Sequence, residues 1–218
     1  MAGTLPINDF VRVTLTSVQP GSTTTSISGK RQTRQFATQY WMFDCDYRSL
    51  ERSDAAQVMA FIANQRGNLL DFDLQIKPFS STQGTVTAML AANGGTSSTL
   101  TVSGTHAIGT GSIAVTSAWV TAKWTTAGVS AATGLKAGDF ITFSNHYKSY
   151  QLTQDVSFNS SGAATLNIYP ALIAAVGSST TVTYNNVLFH CYLKENNQMY
   201  EFGLGDTSSI NLKLQESF

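Results

Sequence analysis

Alternation of apolar and polar residues with a period of two, repeated in long segments at both ends of the chain, restricts the fold more than any other feature. From Gln39 to Tyr47 the odd positions Trp41, Phe43, Cys45 and Tyr47 are apolar, and Asp44 and Asp46 fall between them. On a strand, successive side chains point to opposite faces, so this pattern predicts one face in a core and the other in water. Leu70, Phe72, Leu74 and Ile76 alternate with Asp71, Asp73 and Gln75 in the same way, and Pro78 then ends the run. Val11, Val13 and Leu15 within Phe10 to Leu15 open the chain in this rhythm. Val187, Phe189, Cys191 and Leu193, then Met199 to Phe202, then Ile210, Leu212 and Leu214 close it.

Only one segment reads as a helix. Ala55, Val58, Met59 and Ile62 fall at i, i+3, i+4 and i+7, with Ser53 placed to cap the start, Asp54 in the first turn, and Arg66 and Gly67 at the end. This predicts a helix over about residues 53–66, and one helix is too few for a bundle or a doubly wound sheet. The middle of the chain differs in character. Residues 80–135 are rich in Gly, Ser, Thr and Ala, with short β-prone stretches at Thr99 to Val102 and Ser112 to Val115. After Gly138 come Phe140 to Phe143, Tyr150 to Phe158, Ala164 to Tyr169 and Val182 to Tyr184, separated by turn-rich pieces such as Asn159-Ser160-Ser161-Gly162. The pattern predicts a mainly β protein: a β-sandwich or split-barrel scaffold with one helix, made of residues 1–79 and 186–218, and an inserted small β-barrel module over residues 80–185. Pro20 to Lys30 has no periodicity and leads into the basic cluster Lys30, Arg31 and Arg34, so it reads as a mobile loop or arm.

Charge narrows the partners. Charged residues make up 12% of the chain, about half the usual share, and 13 basic against 13 acidic side chains leave no net charge. No basic stripe marks a nucleic-acid surface. A neutral surface rich in Ser, Thr, Asn and Gln is poorly protected against association, which favours a subunit of a larger assembly; a secreted β protein with a bland surface is the other reading. The first ten residues, MAGTLPINDF, have neither the basic nor the apolar part of a secretory leader, so folding in the cytoplasm is expected. No apolar run is long enough to predict a membrane-crossing helix.

The residues that could carry chemistry do not assemble into a motif. Asp44 with Asp46, and Asp71 with Asp73, each place two carboxylates on one strand face, about 7 Å apart along the strand. Opposite an apolar face, that is also what alternation alone produces. His106, His146 and His190 lack metal-ligand spacing, and Cys45 and Cys191 make neither a disulfide framework nor a fourfold metal site. Gly104 and Gly109 have phosphate-loop spacing, but Thr110 and Gly111 stand where Lys and Ser or Thr are needed. The reading is therefore a protein with no catalytic, metal or cofactor site. Trp119, Trp124, Tyr147 and Tyr150 are candidate contact residues, as a platform for sugar rings, as core, or as subunit contacts. With Lys30, Arg31 and Arg34 they complete the candidate inter-subunit or partner contacts.

Two stretches carry a family resemblance. Tyr40 to Asp73, with Ala60, Phe61, Arg66, Gly67 and Phe72 spaced as A-F-x-x-x-x-R-G and then a strand, resembles tail-tip proteins of tailed phages. Leu135 to Leu172, with Gly138, Asp139, Phe140, Tyr150, Gly162 and Tyr169-Pro170, looks like a β module of phage tail subunits. The resemblance to the distal tail and baseplate-hub family implies a non-enzymatic scaffold in the virion tail, assembled in the host cytoplasm. It further implies a homo-oligomeric ring, sixfold by similarity, that links the tail tube to hub, fibre or other baseplate proteins. A carbohydrate-binding, receptor-reading β module of a virion is the alternative.

Overall fold

The computed structural model describes residues 3–6, 9–84, 100–117, 133–159, 162–203 and 207–218. In chain order the elements are β1 (Arg12–Val18), β2 (Gly21–Thr25), β3 (Arg31–Gln35), β4 (Tyr40–Glu51), α1 (Arg52–Asn64), β5 (Phe72–Gln75) and a single helical turn, α2 (Lys77–Ser80). They continue with β6 (Leu100–Val102), β7 (Ser112–Ser117), β8 (Thr133–Leu135), β9 (Phe140–Phe143), β10 (Ser149–Leu152), β11 (Val156–Ser157) and β12 (Ala163–Tyr169). The last are β13 (Thr181–Thr183), β14 (Leu188–Leu193), β15 (Tyr200–Phe202) and β16 (Thr207–Glu216). The fold is mainly β, as the alternation predicts, and the chain forms two compact units, Met1–Leu74 with His190–Ser217 and Gln75–Phe189 with Phe218.

The first unit is built on a six-stranded sheet in the order β1-β4-β16-β14-β5, with β15 paired to β16. β4 lies antiparallel to both β1 and β16, with Phe43 opposite Leu15 on one side and Leu214 on the other. Trp41, Phe43, Cys45 and Tyr47 on β4 are buried, as are Ile210, Leu212 and Leu214 on β16. A slip of one residue would turn all of these large side chains to the opposite face, so burial fixes the register. The helix buries Ala55, Val58 and Ile62, and the Phe61 ring meets Phe72 edge-on at 5.2 Å. Burial holds the Cys45 thiol up at about 12 and the Cys191 thiol well above its ordinary value, so both are inert core groups.

The helix begins one residue before the expected start. Glu51 occupies the cap position in extended conformation, without a side-chain capping bond, because β4 runs directly into the helix and Glu51 still pairs with Thr207. The strand sets this boundary, and Ser53 sits inside the helix. At the other end Arg66 and Gly67 both adopt positive φ, 55° and 73°. Gly67 has a second reason to be glycine, since a Cβ there would stand 2.8 Å from Asn196 Oδ1, which accepts the Asn68 N–H.

The second unit centres on a closed barrel in the order β10-β12-β7-β6-β13-β9, with β8 and β11 paired beside it. Leu100, Val102, Ile113, Val115, Phe143 and Leu166 are among the side chains that fill it. The expected strand from Tyr150 to Phe158 is split into β10 and β11. The break falls where Asp155 turns its carboxylate to the Ala137 N–H at 2.9 Å and the Lys136 ammonium at 2.7 Å. After β5 the chain turns through α2, with Pro78 in its first turn, so the proline that ends the strand also starts a helical turn.

Asp139 explains one of the signature residues. Its buried carboxylate accepts the Thr82 hydroxyl, the Gln83 N–H at 3.0 Å and the Lys136 N–H at 2.8 Å, tying the segment after α2 to the start of β9. Gly138 before it has φ 95°, which a side chain would oppose. Replacing Asp139 with Ala removes the acceptor of three part-buried hydrogen bonds and is expected to destabilise the protein by about 1–3 kcal/mol. Chemical denaturation of Asp139→Ala and Asp139→Glu measures this, and Glu should not rescue because its carboxylate stands one methylene too far.

Candidate functional site

The most exposed structure in the first unit is the hairpin β2–β3. Its strands pair from Gly21 with Gln35 to Thr25 with Arg31, and all five residues of each strand are exposed. Of the two expected forms, mobile loop or arm, the segment takes the second, as a regular hairpin. Thr-rich strands favour extended backbone, and the apex closes through Gly29 at φ 78° with its N–H on the Ser26 carbonyl. Periodicity was absent because neither face of the hairpin is buried. Lys30 lies at the apex, Arg31 and Arg34 on β3, and the Arg34 guanidinium stands 5.7 Å from the centroid of the exposed Phe36 ring. None of the three cations forms an ion pair among the described residues. Ile27 at the apex is fully exposed.

The two outer edges of the sheet differ. β5 is covered by residues 3–5, with the Leu5 N–H on the Asp73 carbonyl at 3.1 Å and the Asp73 N–H on the Gly3 carbonyl at 3.0 Å. β1, which runs straight into the arm, pairs only with β4 among the described residues and leaves its other edge open.

A groove of about 380 Å³ lies between α1 and the β15–β16 end of the sheet, lined by Ala55, Ala56, Met59, Phe202, Thr207 and Ser208. Phe202 is 72% exposed on its rim. Arg52 is the charged residue in its lining, and Glu201 on β15 lines a separate pocket with Asp46, Arg48, Met199 and Asn211.

The paired aspartates are engaged across strands. Asn211 Nδ2 donates to Asp44 Oδ1 at 2.6 Å and to Asp46 Oδ1 at 2.5 Å, and Arg12 forms an ion pair with Asp46 at 2.7 Å. The Asn211 bond, with Arg12 adding to it, holds the Asp46 carboxyl below its ordinary range. Asp71 and Asp73 flank His190, which none of the histidine spacings singled out. His190 Nδ1 stands 2.9 Å from Asp73 Oδ1 and Nε2 stands 3.6 Å from Asp71 Oδ2, while Ser217 Oγ donates to Asp71 at 3.1 Å. The serine faces a carboxylate and the imidazole lies between two acids, which is not the order that activates a nucleophile. Among the described residues no group of three or more His, Cys, Asp or Glu side chains is arranged to hold a metal ion.

The four aromatic candidates do not form one platform in the described structure. Tyr147 is 65% exposed, whereas Tyr150 is buried in the barrel. Trp119 and Trp124 lie outside the described residues. The Tyr150 hydroxyl accepts the Ile173 N–H at 3.2 Å and stands 2.7 Å from His146 Nε2. Asn145 gives its Nδ2 to the Ala175 carbonyl, so its Oδ1, 2.8 Å from His146 Nδ1, is the acceptor there. This assigns the imidazole proton to Nδ1 and leaves Nε2 to accept the Tyr150 proton. Tyr150 is a satisfied core residue and cannot also stack on a sugar.

Residues 109–187, which hold β7 to β13 and so most of the barrel, match the family described as Distal tail protein pb9, B domain. No curated protein matches the chain.

Burial holds the His146 imidazole below its ordinary value of about 6.5. The unfolded chain therefore takes up this proton at a higher pH than the folded one. The stabilisation is present above pH 6.5 and is lost as pH falls toward the lower folded value, with a slope of at most about 1.4 kcal/mol per pH unit. In urea unfolding followed between pH 7 and 5, His146→Gln should be less stable than the parent at pH 7 and show a shallower decline.

Proposed function

Since the match over residues 109–187 supports assigning the chain to the phage distal tail proteins, we propose that it is a non-enzymatic structural subunit of a virion tail. It forms a homo-oligomeric ring, a hexamer, at the distal tip or baseplate, and links the tail tube to hub, fibre or other baseplate proteins. In this reading the scaffold of residues 1–79 and 186–218 makes the ring and the module of residues 80–185 is inserted in it.

The matched domain carries the proposal, and three physical features support it. The edge of β1 away from β4 has no strand partner among the described residues, while the opposite edge is covered, so lateral association is favoured on one side. The arm exposes both faces, and an isolated two-stranded hairpin is only marginally stable in water, so docking would stabilise it. Zero net charge removes the long-range repulsion that keeps many soluble subunits apart. Lys30, Arg31, Arg34 and Tyr147 are the exposed contact residues this reading uses. The aspartate clusters act as ties between strands and not as acids or bases.

Native mass spectrometry and negative-stain images of the full chain at micromolar concentration test the ring. A single closed species of six copies is the expected result, alone or with the neighbouring tail proteins. A monodisperse monomer under both conditions would overturn the proposal.

A further inference from the structure

We propose that the pocket over the polar face of β4, β16 and β15 binds a small zwitterion, whose anionic group meets Arg48 and whose ammonium meets Glu201. The site stands apart from the ring reading, because every residue it uses lies within the first unit of one chain.

The pocket follows from the register of three strands. Ile210 pairs with Tyr47 and Ser208 with Leu50, so Arg48 and Ser49 together oppose Ser209, a β-bulge in β4. Ser49 takes up the extra residue at φ 54°, and a bulge of this kind bends its strand and re-aims the side chains beside it. Glu201 pairs with Ser209 from the other side. The short side chains Ser209 and Asn211 on the central strand make a trough of about 360 Å³, with Asp46 and Arg48 along one wall and Met199 and Glu201 along the other. That volume is in the lower part of the range of small-ligand sites. Adjacent strands lie about 4.8 Å apart, so walls separated by β16 stand roughly 10 Å apart at the backbone. Across that width Arg48 and Glu201 do not reach each other, and neither forms an ion pair among the described residues.

The remaining groups narrow the ligand. Asp46 is already engaged by Arg12 at 2.7 Å and by Asn211 Nδ2 at 2.5 Å, so one cation and one anion are left to the pocket. Asn211 spends both Nδ2 protons on Asp44 and Asp46, which leaves its Oδ1 as an acceptor. The guanidinium fork of Arg48 matches a phosphate or a carboxylate. Glu201, with the Asn211 oxygen, matches an ammonium, which has donors only. A simple anion would satisfy one wall and leave the other unmet, whereas an acid and an amine on one short skeleton satisfy both. Sugars fit less well: Tyr47, the aromatic residue in the lining, is buried beneath the trough and offers no open face for stacking.

Isothermal titration of the full chain tests the site, with glycerophosphoethanolamine and β-alanine as zwitterions and inorganic phosphate and ethanolamine as the separate halves. At least one zwitterion should bind once per chain, about tenfold or more tighter than either half, and the stronger of the two identifies the anion. Arg48→Gln and Glu201→Gln should each weaken that binding about tenfold, as expected for the loss of one charge-assisted contact. Both residues are exposed, so circular dichroism and assembly should stay as in the parent.

Phosphate binding as tightly as the zwitterions reduces the pocket to an anion site on Arg48 and overturns the proposal. So does binding that both variants leave unchanged, or a parent chain that takes up neither zwitterion. If the parent binds no probe and the two variants lose assembly, the pocket is a contact between subunits, which overturns this proposal and leaves the ring reading standing. A monomeric chain that binds a zwitterion through Arg48 and Glu201 removes the ring reading and upholds this one.

Discussion

The pairing of β4 with β16 is the interaction on which the first unit depends. It joins segments from opposite ends of the sequence, and the Trp41 N–H meets the buried Glu216 carboxylate at 3.1 Å across a separation of 175 positions. Closing a loop of that size costs only slowly more entropy as it lengthens. The register that results places Cys45 against Leu212 and Phe43 against Leu214, so the apolar faces of the two strands coincide. β1, β14 and β15 are then added to a pair already in place, and α1 follows from β4 without a loop. A long excursion between the two strands is tolerated because it leaves from and returns to the same sheet.

Most of this was legible wherever burial writes itself into the sequence. β4, β5, β14 and β16 each bury one face, and their alternating residues announced it. The arm was not legible for the same reason inverted. Gly21–Thr25 and Arg31–Gln35 bury neither face, so no alternation was selected, and the sequence read only as a mobile loop or arm without strands. Aromatics were ambiguous in another way, since Tyr147 and Tyr150 are close in sequence, but Tyr147 is exposed in the β9–β10 connection and Tyr150 is buried on β10. His190 joins Asp71 and Asp73 only because β14 lies beside β5, with 117 positions between His190 and Asp73. The phase of the alternation put His190 on the polar face, but nothing local named its neighbours. Asp139 was picked out by resemblance, and its three hydrogen bonds supply the physical reason.

The polar groups fall into two populations. Asp44, Asp46, Asp71, Asp73 and Asp139 are all satisfied by neighbours within their own unit, by Asn211, Arg12, His190, Ser217, Thr82 and backbone N–H groups. Lys30, Arg31, Arg34, Glu51 and Glu201 have no such partners among the described residues. Carboxylates that resemble a catalytic pair in the sequence are cross-strand ties, and the basic cluster Lys30, Arg31 and Arg34 is left to meet another molecule. Where a charge-poor protein keeps its unpaired charges is therefore informative about where it meets others.

The composition of the arm also bears on the life of the free subunit. Both strands are made of Gly, Ser, Thr, Gln and Arg, with a single aliphatic residue at the tip. A polar, positively charged hairpin resists the indiscriminate edge pairing that makes exposed strands nucleate aggregates. In the proposed ring, folding and assembly would then be separated in time, and the timing of construction would depend on the concentration at which copies meet.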